Sequence, residues 1–211
     1  MNSDFSKLKR YANNRYGNLS IIEEFNVRRY LKTSIRGFSK QYLKIFDMIN
    51  NYKDSSNFVK YRLRVILFCI DTIYEVCINL FEIKRNKNKV IKFYYIRILC
   101  VVIYESMDNY NVLINKEYND NLALCNKEQI SNIIRDGLND FKKLKKDCKD
   151  EIGLIRNTVG AHKTLNLDLY NKIMDSIDES SIVIFALTYV SILGHFADNN
   201  FAWIYNDMDI K

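Results

Sequence analysis

The chain has 211 residues, no proline and six glycines, where average usage would give about ten and fifteen. That scarcity excludes collagen-like repeats, proline-rich linkers, Gly/Ser tethers and turn-dense β-sandwiches, and 48% hydrophobic residues exclude wholesale disorder. Thirty-two Lys and Arg against 25 Asp and Glu give +7, a surplus suited to nucleic acid or anionic lipid, although AT-rich codons for Lys, Asn, Ile and Tyr offer a second source for it.

Without proline, helix boundaries must come from caps, glycines and polar runs. Asp4 to Tyr16 reads as a first helix ending at Gly17. Ser20-Ile-Ile-Glu23 has the form of a capping box and opens a second, which reaches about Arg36 before Gly37. Phe38 to Tyr52 continues helically, and Lys53 to Asn57 is a loop. Phe58 to Ile83 and Val90 to Ile114 are apolar around nearly the whole helical circumference, which predicts two central, buried helices. Their lengths exceed those of ordinary strands. Lys84 to Lys89 is the basic break between them.

Glu117 to Asn126 reads as a polar loop. Lys127 to about Lys163 has helical period, with a possible break near Asp150 or Gly153. Leu165 to Leu167 turns the chain, Asp168 caps a short helix to Asp178, and Ser180 opens the last long helix. The expected architecture is all-α, a bundle of seven or eight helices. Residues 1–55 form an N-terminal helical extension packed on a domain of residues 56–211.

Ser180 to Ala197 lacks Asp, Glu, Lys and Arg over 18 residues, the threshold for a membrane span. Its three serines, Thr188, Gly194 and His195 favour a buried bundle helix, so no membrane partner is expected. The five cysteines have no C-x-x-C spacing, and three sit in apolar runs as small hydrophobes. The polar N-terminus has no signal-like apolar stretch, which together with the odd cysteine count predicts a reducing cytoplasm.

One segment carries chemistry: Arg156-Asn157-Thr158-Val159-Gly160-Ala161-His162. A guanidinium can hold a phosphate through two parallel hydrogen bonds, and an imidazole titrates near neutrality and can take or give the proton of a reacting hydroxyl. On an ideal helix the two side chains lie about 120° apart, so they flank a face. The bland alternative is a partly buried His162 on the Ile155–Val159 stripe and a solvated basic face joining Arg156 to Lys142, Lys149 and Lys163.

Arg, a polar residue, and His after five intervening positions resemble the signature of the HEPN superfamily, named for higher eukaryotes and prokaryotes nucleotide-binding. By organisation the resemblance covers about Phe58 to Trp203, and by residue identity only Arg156 to His162. It implies a HEPN-like helical core and a metal-independent endoribonuclease, without cofactor, that leaves a 2′,3′-cyclic phosphate and a 5′-hydroxyl. Arg156 and His162 would be the catalytic pair and Asn157 a supporting group. A homodimer would bring two motifs together across the Arg156–His162 helix. Family members serve as toxins, abortive-infection proteins and antiphage effectors, which implies tRNA or mRNA as substrate and an antitoxin or defence-complex partner. The alternatives are a non-catalytic HEPN-type module that binds RNA, nucleotide or protein, and a helical scaffold subunit of a larger complex.

Lys142, Lys145, Lys146, Lys149 and Lys163 form a candidate phosphate track because they lead into Arg156. Glu75 and Glu105 are expected to pair with Arg62, Arg64 or Arg97, with a supporting acidic role open to Glu105. His195 reads as a core residue, and Tyr94, Tyr95 and Tyr104 follow core spacing. Two histidines and scattered cysteines make no zinc constellation. There is no glycine-rich phosphate loop, which disfavours kinases, P-loop enzymes and Rossmann folds.

Overall fold

The computed structural model describes residues 24–51, 57–123, 128–157, 172–173 and 175–208. Among them are six helices and no strand: α1 (Glu24–Asn51), α2 (Asn57–Arg85), α3 (Lys89–Leu113), α4 (Lys116–Ala123), α5 (Glu128–Ile155) and α6 (Glu179–Met208). The fold is all-α, as the composition requires. The expected helix at Asp4 to Tyr16, the Ser20–Glu23 capping box and the Leu165–Leu167 turn lie outside the described residues. Of the short helix expected before Asp178, Lys172, Ile173, Asp175 and Ser176 are helical.

α2 is the centre of the bundle: α1, α3 and α6 all pack on it, and α5 packs on α3 and α6. Helix α1 lays down a stripe of Leu31, Ile35, Phe38, Tyr42, Ile45 and Ile49 at alternating four- and three-residue intervals. Leu31 and Ile45 are fully buried, each stabilising by about 1.5–3 kcal/mol.

Three boundaries differ from the sequence expectation. Gly37 does not end a helix; α1 runs straight through it. A helical glycine costs only about 1 kcal/mol relative to alanine, and the stripe on either side holds the turn in place. A Cβ at Gly37 would meet nothing within 4 Å. Gly37→Ala is therefore expected to raise unfolding free energy by up to about 1 kcal/mol, read as a higher urea midpoint at constant slope.

The second difference is α4, which covers Glu117 to Ala123 of the expected loop over Glu117 to Asn126, residues 124–126 lying outside the described residues. Asn115 starts it by accepting the Tyr118 backbone N–H through Oδ1 at 3.0 Å. Tyr118 is fully buried, its hydroxyl donates to Asn200 Oδ1 at 2.7 Å, and its ring contacts Phe196 and Trp203. This partnership spans 82 residues, so local polarity gave no sign of it. The third difference is at α5: Gly153 lies inside the helix, which continues to Ile155 and then widens into a π-type turn at Arg156 and Asn157.

Caps tie the ends together. Asn88 accepts from the Val90 N–H at 2.8 Å and opens α3. Asp178 accepts from the Ser180 and Ser181 N–H groups and opens α6. Glu179 then receives Lys84 at 3.3 Å and Lys92 at 2.9 Å, fastening the end of α2 and the start of α3 to α6.

Two buried tyrosines differ in a testable way. Tyr110 stacks on Phe141 at 3.8 Å, and its buried hydroxyl has no hydrogen-bond partner among the described residues. Tyr118 has Asn200. Tyr110→Phe is expected to leave stability unchanged or raise it by about 1 kcal/mol, while Tyr118→Phe orphans a buried amide and costs about 1–3 kcal/mol. Thermal unfolding of the two variants side by side gives the comparison.

Helix α6 is long and apolar enough to cross a bilayer by length and composition, but 61% of its most apolar window is buried inside the bundle. Its apolar side chains are spent on α2 and α5, as in a core helix. Cys69, Cys77, Cys100 and Cys148 are buried and form no disulfide among the described residues. Burial pushes the thiols of Cys69, Cys77 and Cys100 up to about 12, which makes them poor nucleophiles at neutral pH.

Candidate functional site

The site grows out of the contact between α3 and the second half of α5. On α3, Tyr104, Glu105 and Asp108 lie within a turn of one another. On α5, Lys145, Lys149, Gly153 and Arg156 recur at three- and four-residue spacing and so share a face. The glycine sets the distance between the two helices. A Cβ at Gly153 would stand 2.9 Å from Tyr104 Cε2, so any larger residue there would push the tyrosine ring off the α5 backbone.

Two cations then clasp that ring from positions two turns apart. Lys149 Nζ is 4.8 Å from the ring centroid, and Arg156 Cζ is 5.1 Å from it, both within cation–π range. Asp108 receives both Lys149 and Lys145, the latter at 3.3 Å, and Lys145 also donates to the Met107 carbonyl at 3.1 Å. Arg156 donates through Nη2 to Glu105 and through Nη1 to Asn157 Oδ1 at 2.8 Å. Its Nε is buried and has no partner among the described residues. The Arg156 side chain is 24% exposed and that of Glu105 is 47% exposed, so the pair sits at the edge of the bundle with one side open to solvent.

Arg156, Asn157 and Glu105 therefore meet in one cluster. The expected pairing of Glu105 with Arg62, Arg64 or Arg97 is corrected: its partner is Arg156, 51 residues away. Glu75 makes no ion pair among the described residues, and burial followed by the like charge of Asp71 raises its carboxyl above the ordinary range. Arg62 instead lies over Trp203, 3.5 Å from the ring centroid. His162 and Lys163 lie outside the described residues.

Of the lysine track, Lys142 and Lys146 are exposed, whereas Lys145 and Lys149 are engaged by Asp108 and Tyr104. Six basic residues of α5 (Arg135, Lys142, Lys143, Lys145, Lys146, Lys149) face six acidic ones (Glu128, Asp136, Asp140, Asp147, Asp150, Glu151), so the helix carries no net charge. His195 is exposed, not a core residue. It shares the outward stripe of α6 with Ser191, Asp198 and Ala202, while Ile192, Leu193, Phe196 and Asn200 face inward. Tyr94 is also exposed rather than core. Among the described residues no three His, Cys, Asp or Glu side chains cluster as metal ligands.

The hydrogen bond from Lys149 holds the Asp108 carboxyl below its ordinary range, against the opposing effect of burial and with help from Lys145. A lowered carboxylate contributes stability above its unfolded pKa, about 3.9, and that contribution disappears as pH falls through the lowered folded value. The Asp108 side chain is 44% exposed and that of Lys149 26%, so screening limits the pair to about 1 kcal/mol at most. Asp108→Asn is expected to lower the unfolding free energy at pH 7 by that amount, read as a lower urea midpoint, with the two proteins converging as the carboxylate is protonated in acid.

No family model matches this chain, and no curated protein or solved structure is significantly similar to it.

Proposed function

We propose that the protein is a HEPN-like, metal-independent endoribonuclease whose reacting groups are Arg156 and His162. The observation that carries the reading is the placement of Arg156. The arginine of the Arg-Asn-x-x-Gly-Ala-His motif is held at a widened helix end by Glu105, with Asn157 beside it and one side of the cluster open to solvent. A carboxylate that fixes a guanidinium, with an amide beside it, is a preorganised cation for a phosphate. It needs little rearrangement when charge builds on the non-bridging oxygens.

In this reading the 2′-hydroxyl oxygen attacks the adjacent phosphorus and the bond to the 5′-oxygen breaks. His162 takes the 2′-hydroxyl proton or supplies one to the leaving 5′-oxygen, and Arg156 balances the charge on phosphorus. The products are a 2′,3′-cyclic phosphate and a 5′-hydroxyl. The helical core around α2, α3, α5 and α6 would be the HEPN-like unit of a seven- or eight-helix bundle, with the N-terminal helices added to it. Two copies would meet along the Arg156–His162 segment, each supplying one motif. A cytoplasmic toxin or antiphage effector acting on tRNA or mRNA, restrained by an antitoxin or defence-complex partner, is the biological setting that fits.

A second reading rests on the same cluster. Arg156 engages Glu105, Asn157 and the Tyr104 ring at once, which is also how a purely structural clasp in a binding module or scaffold subunit would be built. Incubation of the purified protein with tRNA and mRNA in EDTA separates the two. Cleavage that disappears in both Arg156→Ala and His162→Ala supports the nuclease. Folded protein that leaves both RNAs intact favours the clasp.

A further inference from the structure

The motif segment is not the only concentration of positive charge in this chain: residues 142–163 carry seven cations against three acids, and α1 matches that net charge. Helix α1 carries six cations (Arg28, Arg29, Lys32, Arg36, Lys40, Lys44) against two acids (Glu24, Asp47), a net of four positive charges out of the chain's seven. No acidic residue falls between Arg29 and Phe46. At 100° per residue, Arg29, Lys32, Arg36 and Lys40 fall within an arc of about 80°, and Lys44 flanks it. All five are exposed and make no ion pair among the described residues. The opposite side of the helix holds Leu31, Phe38 and Ile45 against the bundle, so the row is held facing outward. From Arg29 to Lys40 it runs about 16 Å along the axis, with a cation at nearly every turn.

We infer that this face of α1 is the docking surface for the phosphate backbone of RNA. The inference rests on RNA being the partner, and not on cleavage. Exposed cations in a straight row, without an ion pair among the described residues and with no interleaved acid, match a uniformly charged strand and release its counterions on contact. The lysines of α5 are poorer candidates, because Asp147, Asp150 and Glu151 are interspersed with them and Asp108 engages two of them. An anionic lipid surface fits less well. A helix lying on a bilayer needs apolar side chains beside its cations along its whole length. Here Thr33 and Ser39 flank the row, and its exposed large apolar side chains stand only at its ends, Tyr30 beside Arg29 and Leu43 and Phe46 beyond Lys40. Helix α1 would thereby hold the substrate while the α3–α5 edge acts on it.

The test is binding of the full-length protein to a fluorescent 2′-O-methyl RNA strand, which lacks the attacking hydroxyl and so separates binding from cleavage. Anisotropy is measured between 50 and 300 mM KCl for wild type, for R29Q/K32Q/R36Q/K40Q, and for K142Q/K143Q/K146Q on α5. Circular dichroism confirms that each is folded. The α1 variant is expected to bind at least about tenfold more weakly, and its slope of log affinity against log salt to fall by about 3, with the α5 variant changing less. An unchanged affinity and slope in the α1 variant, or an equal loss in the α5 variant, overturns the inference. So does wild-type binding to phosphatidylserine vesicles but not to RNA. Wild type that binds the strand through α1 yet leaves unmodified RNA intact upholds the surface while removing the nuclease reading. Cleavage of RNA with no contribution from α1 does the reverse.

Discussion

Replacing Arg156 by alanine is expected to lower RNA cleavage by at least about 100-fold while leaving the bundle folded. The magnitude follows from its proposed role: losing one preorganised donor to a developing oxyanion costs about 10²–10³ in rate. The structural cost is smaller. Glu105 is 47% exposed and is rehydrated when its partner leaves, so the lost ion pair is worth about 1 kcal/mol or less. Arg156→Lys keeps the charge but not the planar fork that can grip phosphate and Glu105 together, and should retain a small fraction of the activity. Glu105→Gln keeps an acceptor near Nη2 and should lose less than Arg156→Ala. If Arg156 is only a clasp for Tyr104, the three substitutions will move melting temperature and have no cleavage to change. Initial rates on a labelled RNA, set beside thermal melts, separate the two roles.

Trp203→Ala should be the most damaging single substitution for stability, at about 3–5 kcal/mol. Trp203 is the one tryptophan in the chain and is 2% exposed near the end of α6. Tyr118 meets it edge-on at 6.2 Å, and the Arg62 guanidinium covers it at 3.5 Å. Removing the indole leaves a cavity between α2, α4 and α6 and strips a ring from a cation that is itself 5% exposed. A buried cation without that ring adds to the cavity cost. Against a typical total of about 5–15 kcal/mol, such a loss brings the protein close to unfolding. Trp203→Phe keeps part of the volume and a ring for Arg62, and should cost less. Urea unfolding followed by far-ultraviolet circular dichroism measures both. A loss below about 1 kcal/mol for the alanine variant would mean that the end of α6 is not docked against Arg62 and Tyr118.

Legibility from sequence followed the range of the interactions involved. Helices α2 and α3 were legible to within one or two residues because both their apolarity and the basic break between them are local. Gly37 misled because a helix boundary is an energy difference: one glycine is too small a cost to break a helix whose stripe continues through Leu31 and Ile45. Helix α4 was missed because its anchor, Tyr118, makes its case through Asn200 and Trp203, far along the chain. The same holds at the site. Arg156 and Asn157 stood out as a motif, but Glu105 reaches Arg156 only because α3 crosses α5, and Gly153 reads as a helix breaker until Tyr104 is placed against it. The lysine track shows the limit of counting charges. Asp108, on another helix, engages two of its members, and the unbalanced row lies on α1, where its four-residue spacing was visible but had no motif beside it. His195 reads as a core residue because its immediate neighbours are apolar, but the stripe it belongs to (Ser191, Asp198, Ala202) is the outward one.

The most direct test of the central claim is the chemistry of the RNA ends. Wild-type protein incubated with a defined RNA in EDTA is predicted to produce fragments with 2′,3′-cyclic phosphate and 5′-hydroxyl termini, and His162→Ala and Arg156→Ala to produce none above background. Fragments with 5′-phosphate ends, or the same cleavage from the His162→Ala protein, would contradict the assignment of Arg156 and His162 as the reacting pair.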